Sequence, residues 1–180
     1  MRNPHHTRTG GIITLDAPLI TRDGDRYHLE YSEVYATDID DLWSAVTTAE
    51  RLSRWMATSR GDLREGGEWE VLGSDGEVWC RGVVTSCTPP RGFTTTWHAI
   101  GEDPTELTVT LAPEDAGTRL TLSHHGIQSI FYGAGWQTYL ELLTRGLVAP
   151  DAVLIDDAAW DARFAELRPV YDEKFASLRT

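Results

Sequence analysis

The polar and apolar positions of this chain change period within one short stretch. In GTRLTLSHHGI, from Gly117, the residues Leu120, Leu122 and His124 alternate with Thr121, Ser123 and His125, the pattern of a strand with one buried face. Beyond a loop read over His125 to Ala134, Trp136, Tyr139, Leu140, Leu143 and Leu147 recur at steps of three and four, one stripe of an α-helix whose first anchor is Trp136. This predicts a last strand feeding a long amphipathic helix that lies across a curved antiparallel sheet. Such packing can leave a hollow between helix and sheet.

Upstream, Pro18 to Arg22 and Tyr27 to Ala36 read as a hairpin about Asp23-Gly24, because Asp-Gly supplies the positive φ of a tight turn. Leu29, Tyr31, Glu33 and Tyr35 share a face of its second strand. Thr37 or Asp38 can cap a helix running to Thr47, with Asp40 and Asp41 at the positive end of its dipole. A short second helix spans Glu50 to Met56, and Leu42, Trp43, Val46, Leu52 and Trp55 form the apolar side of the pair. Strands follow at Glu68 to Leu72, Glu77 to Cys87, Phe93 to Ala99 and Thr105 to Ala112. The order predicts an α+β domain with an antiparallel sheet of about six strands, two short helices between strands 1 and 2 and a long helix at the end. The glycines of GDLREGG, Gly61 to Gly67, lack the spacing of a phosphate loop and read as a turn.

The chain divides into residues 1–17, a flexible or edge-strand segment in which Ile12 to Leu15 could pair; residues 18–149, the domain; and residues 150–180, a helical extension. The extension contains an echo, since WDARFAELR from Trp160 and YDEKFASLR from Tyr171 match at an eleven-residue offset, nearly three helical turns. Trp160, Phe164 and Leu167 form one apolar stripe and Tyr171, Phe175 and Leu178 another, and Pro169 predicts a kink or a restart between them. The stripes would pack on the domain or against a second copy.

With 180 residues and 41% hydrophobic content, the chain can bury a real core. Sixteen basic against 28 acidic residues give a net charge of −12, which repels phosphate backbones and anionic lipid, so nucleic acid and membrane are not expected partners. No signal-peptide pattern and no run of ~18 apolar residues occurs, which predicts a cytoplasmic protein. Lys174 is the single lysine beside many arginines, a composition expected of a bacterial source. Cys80 and Cys87, seven apart on one strand, are expected on opposite faces and ~23 Å apart at ~3.3 Å per residue, as reduced thiols.

Candidate chemistry is sparse. His124 points inward with Leu120 and Leu122, either as a hydrogen-bonded core histidine or as a ligand contact or acid/base group. His124 and His125 point to opposite faces and cannot share a metal, His5-His6 lies near the start, and no zinc-finger, HExxH or Gly-x-Ser-x-Gly spacing exists. No metal, cofactor or catalytic residue is therefore assigned.

Taken in order, DLWSAVTTAERLSRWM, GDLREGGEWE, Gly82-Val-Val with Pro89-Pro90, Phe93 to Trp97, GTRLTLSHHGI and GWQTYLELL are similar to SRPBCC proteins of the heat-shock protein 90 ATPase activator-like branch, over roughly Tyr27 to Leu147. That superfamily includes START lipid-transfer domains, the birch-pollen allergen type and polyketide cyclases. The resemblance implies a helix-grip fold, a curved sheet wrapped around the C-terminal helix with a cavity between them. Departures are Glu33, where relatives usually carry Arg, and Ser86-Cys87 within a segment usually Gly-x-Val-x-Glu-Val. A cavity of ~300 Å3 or more, usual for small-molecule sites, is then expected between Trp136 and Tyr139 on the helix and Tyr31, Glu33, Trp97, Val109, Leu120, Leu122 and His124 on the strands. The expected function is non-catalytic binding of a small apolar or aromatic molecule. The alternatives are a cyclase-type enzyme, with Tyr31, Glu33, Trp97 and His124 converging, and a protein-interaction module related to chaperone ATPase activators, with a chaperone or a second copy as partner.

Overall fold

The computed structural model describes residues 15–149, 151–152, 154 and 156–179. His5, His6 and all of the Ile12 to Leu15 segment except Leu15 lie outside the described residues. The elements in chain order are β1 Leu19–Asp23, β2 Arg26–Tyr35, α1 Ile39–Thr47, α2 Ala49–Trp55, β3 Ser59–Gly61, β4 Glu68–Leu72, β5 Val78–Thr88, β6 Gly92–Ala99, β7 Thr105–Glu114, β8 Gly117–Ile127, α3 Phe131–Val148 and α4 Asp157–Ser177. The strands form one antiparallel sheet in the order β1-β2-β8-β7-β6-β5-β4-β3. The fold is the expected α+β helix grip, with eight strands rather than about six, and with the two short helices after the second strand because the β1–β2 hairpin precedes them. Of the eight, β3 alone matches no strand read from the sequence; it has three residues, too few to show alternation.

Alternation decides which side of the sheet faces the helices. Leu29 and Tyr31 of β2 stand opposite His124 and Leu122 of β8, and Val109 and Leu111 of β7 stand opposite Leu122 and Leu120. These side chains form one inner surface with Phe93, Thr95 and Trp97 of β6. The long helix α3 lies on that surface, while α1 and α2 close it on the side of β3 and β4. Asp38 caps α1 by accepting from the Asp41 N–H at 2.8 Å.

Three sequence expectations change. First, α3 begins at Phe131, four residues before Gly135. Gly133 falls in the expected loop and Gly135 at the expected start of the helix, yet both lie inside α3, where neighbours leave no room for a side chain: a Cβ on Gly133 would sit 2.3 Å from the Tyr171 ring, and one on Gly135 would sit 3.2 Å from Phe131. Second, α4 is a single helix that carries Pro169 inside it. Trp160, Phe164, Leu167, Tyr171, Phe175 and Leu178 therefore make one stripe, and Tyr171 and Phe175, 2% and 0% exposed, belong to the same core as the sheet. Third, Cys80 and Cys87 share a face. The β5–β6 register slips between Val84 and Ser86, a bulge that reverses the alternation, so Cys80 lies opposite Ala99 and Cys87 opposite Phe93, both on the inward row of β6. Both cysteines are free thiols.

A hydrogen-bonded chain of buried polar groups fixes α4 to the grip. Tyr31 OH donates to the Gly133 carbonyl at 2.5 Å and lies 2.6 Å from Tyr171 OH. Tyr171 donates to Gln137 Oε1 at 2.7 Å, and Gln137 donates to Glu141 Oε1 at 2.9 Å. Arg163 of α4 then donates two 2.8 Å bonds to the Glu141 carboxylate, whose side chain is 4% exposed. Buried polar groups cost least when every member has a partner, and these do.

Candidate functional site

The inner surface does not close completely. A cavity of about 100 Å3 remains between α3, the α1–α2 pair and strands β3, β4, β6, β7 and β8. Its floor is aliphatic, with Leu107, Val109, Leu120 and Leu122 on the sheet and Leu140 on α3. Its walls are aromatic, formed by Trp55, Trp69, Phe93, Trp97 and Trp136. The mouth lies between the start of α2 and β3, where Ala49, Arg60 and Gly61 are the solvent-exposed lining residues.

Each indole N–H of the walls is turned into the protein. Trp55 Nε1 donates to Ala45 O at 3.0 Å, and Trp69 Nε1 to Thr95 Oγ1 at 2.6 Å. Trp97 Nε1 donates to Tyr132 OH at 3.2 Å, and Trp136 Nε1 to His124 Nδ1 at 3.1 Å. The hydroxyl of Thr95 donates to Val83 O and that of Thr47 to Trp43 O. Ring faces and methyl groups are what these residues leave toward the cavity. Arg60 is the one ionisable side chain among the described lining residues; it stands at the mouth and donates to Glu70 Oε2 at 2.6 Å.

Trp69 owes its place to a glycine. It pairs with Gly82 across β4 and β5, and a Cβ on Gly82 would lie 2.5 Å from the indole. Trp97 stands at the centre, with ring centroids 5.4 Å from Trp69 and 5.3 Å from Trp136.

Of the residues expected around a cavity, the structure brings Trp97, Val109, Leu120, Leu122 and Trp136 together and places four elsewhere. Tyr31 faces inward but is spent on Gly133 and Tyr171. Glu33 sits on the inward row of β2, opposite Leu120, and its carboxylate accepts the Asp16 N–H at 2.6 Å. Tyr139 turns toward α4, its ring 5.4 Å from Trp160, and burial pushes its hydroxyl up to about 12. His124 lies behind Trp136 and Trp97 rather than on the surface of the cavity. Because its Nδ1 accepts from Trp136, the proton is on Nε2, which donates to Thr105 Oγ1 at 2.7 Å, and Thr105 donates onward to Trp97 O. Desolvation first, then His125 and His28, lowers its pKa to about 3. The imidazole is thus neutral and fully bonded, and a cyclase-type set of Tyr31, Glu33, Trp97 and His124 does not assemble. The expected volume also shrinks, because Tyr132, Tyr171 and Phe175 fill the part of the grip nearest β2.

Cavity residues absent from the expected set include Val46, Leu52, Met56, Trp69 and Val71 from α1, α2 and its end, and β4, together with Phe93, Leu107 and Leu140. Their apolar periodicity was visible, but periodicity alone does not separate a packed face from a cavity wall. Among the described residues, no group of three or more His, Cys, Asp or Glu side chains is placed to hold a metal ion, and no helix is long and apolar enough to cross a membrane.

An antiparallel sheet gripping a long helix, with an apolar hollow enclosed between them, defines a helix-grip protein. Within that class, residues 36–147 match the family described as Activator of Hsp90 ATPase homolog 1-like protein, and the chain belongs to that family. Among solved structures, it is similar to the crystal structure of CalU16 from Micromonospora echinospora at 27% identity, over 89% of this chain and 96% of that one, with a TM-score of 0.70. The solution structure of CalU16 gives 25% identity over 95% and 97% of the two chains and a TM-score of 0.72. DynU16, a protein in the dynemicin biosynthetic locus, shares the fold at 20% identity and a TM-score of 0.62, over 68% of this chain and 48% of its own. No curated protein is similar to this chain at a significant level.

Proposed function

We propose that this protein binds a small, neutral, apolar molecule in the cavity between α3 and the sheet and releases it unchanged. The observation that carries this reading is the orientation of the lining: the indole N–H groups of Trp55, Trp69, Trp97 and Trp136 are all bonded inside the protein. A site built to hold a polar ligand leaves donors or acceptors for it, since a buried group without a partner is costly. Apart from Ser59 and Arg60 on β3 at the mouth, this lining offers contact area alone. The same orientation speaks against turnover, because general acid/base catalysis needs an ionisable group within hydrogen-bond reach of the substrate. Arg60, the ionisable group of the lining, stands at the mouth and is paired.

The test is a thermal-shift and native mass-spectrometry screen of apolar against polar small molecules. Apolar members are expected to raise the melting temperature saturably, with ~2.7 kcal/mol of linkage at a hundred times the dissociation constant, and to be recovered intact. Chemical conversion of a bound member would defeat the non-catalytic part of the reading. Preference for carboxylates or polyols would defeat the apolar part.

A further inference from the structure

The walls of this cavity determine how large the guest is as well as how polar. The geometry points to a size filter: the cavity admits a neutral single-ring aromatic or hydrocarbon of similar bulk and refuses fused-ring compounds. This inference rests on the binding reading above and deepens it.

Its volume is the first ground. Sites for drug-sized ligands enclose about 300 to 1,000 Å3, whereas an engineered apolar cavity of about 150 Å3 in another protein takes up benzene. The about 100 Å3 enclosed here belongs with the second kind. Met56 lines the space and is the flexible, polarizable residue that can adjust by the few atoms a ring substituent requires. The mouth beside Ala49 and Gly61 gives a substituent somewhere to point.

The second ground is that the walls cannot step back. Trp69 lies against the Gly82 backbone, in the space a Cβ there would fill, and is bonded to Thr95. Trp97 is tied to Tyr132, whose hydroxyl in turn donates to Glu102 at 2.5 Å. Trp136 is tied to His124, which is tied to Thr105. Rotating any of these indoles away to enlarge the cavity would leave its N–H buried and unpaired. A flexible aliphatic wall could yield to a larger guest, but three anchored indoles define a fixed width.

The experiment uses the intact protein and four probes: toluene, phenol, naphthalene and pyrene. Tryptophan fluorescence and melting temperature are followed during each titration. Toluene is expected to bind saturably, phenol more weakly because its hydroxyl must either give up its water or be confined to the mouth, and naphthalene and pyrene not measurably. Val109→Ala, and Leu122→Ala as a larger deletion, widen the floor and are expected to admit naphthalene, with toluene competing for the same site. Naphthalene binding the unaltered protein as tightly as toluene, and displaced by it, would overturn the size filter and leave the cavity-binding reading intact. No binding of any probe to the unaltered protein or to the widened variants would overturn both. Should the variants fail to fold, the ranking of the four probes on the unaltered protein still decides.

Discussion

Trp136 of α3 donates its indole N–H to His124 Nδ1 of β8 at 3.1 Å, and this one bond settles both the tautomer of the histidine and the position of a cavity wall. The helix that is gripped and the strand that grips it are joined at the point where one would otherwise look for an acid or a base.

The burial of His124 behind that bond makes stability depend on pH. The folded pKa of His124 is lowered to about 3, while the unfolded side chain titrates near 6.5. Below 6.5 the unfolded chain therefore binds the extra proton, so the contribution is complete above 6.5 and is lost progressively as pH falls toward 3. The charged or titratable groups around the ring are His28 of β2, His125 of β8 and Tyr132 of α3. His28 is shifted in the same direction, chiefly by desolvation, and adds to the slope. Between pH 7 and 5 the expected loss due to His124 is about 2 kcal/mol. His124→Leu should lower stability at pH 7.5 by about 1 to 3 kcal/mol, through the unpaired Trp136 N–H, and should flatten the acid slope. Urea denaturation across that pH range measures both, and an unchanged slope in the variant would contradict the assignment.

Two glycines of α3 should respond oppositely to the same change. Gly133→Ala places a methyl group 2.3 Å from the Tyr171 ring and is expected to destabilise by about 1 to 3 kcal/mol, as overpacking does. At Gly146 a Cβ meets nothing nearer than Leu154 at 3.6 Å, so Gly146→Ala should stabilise by up to about 1 kcal/mol through helix propensity. Chemical denaturation of the two single variants is sufficient. Equal signs would mean that Tyr171 is not seated against Gly133.

The thiols should differ by burial alone. Burial pushes Cys80 up to about 12, and it is fully enclosed; Cys87, also shifted upward mainly by desolvation, is half-buried beside the Leu63 carbonyl. A thiol-specific reagent at pH 8 should modify Cys87 first, and Cys80 only on unfolding. Peptide mapping after partial labelling reads the order, and Cys80 reacting first would contradict the register of β5.

Much of the fold was legible because its signals are local. The alternation of Leu120, Leu122 and His124 and the helical steps from Trp136 are set by geometry within one element, and the runs β1-β2 and β8-β7-β6-β5-β4-β3 follow from successive hairpins, whereas the β2–β8 pairing that joins them is non-local. What escaped was non-local. Nothing near Gly133 announces Tyr171, and without that partner the glycine reads as a breaker. The bulge between Val84 and Ser86 has no marker such as Gly or Pro, so the two cysteines were assigned to opposite faces. The candidate site shows the same division. Trp97 and Leu122 could be assigned to the inward face from alternation, but whether an inward residue touches empty space or another side chain depends on what lies across from it. Tyr31 meets Tyr171, and Trp97 borders the cavity.

The buried chain from Tyr31 through Tyr171, Gln137 and Glu141 to Arg163 also has an order in time. A ribosome makes Tyr31 and Glu141 before it makes Arg163 and Tyr171, and until those two emerge Tyr31 has only the Gly133 carbonyl and Glu141 only Gln137 as inward partners. A nascent chain that ends short of Arg163 therefore holds a sheet and a helix whose Glu141 carboxylate has no cation to offset its burial. The grip can close fully only after α4 has left the exit tunnel, so the sheet and α3 wait for a segment made after them.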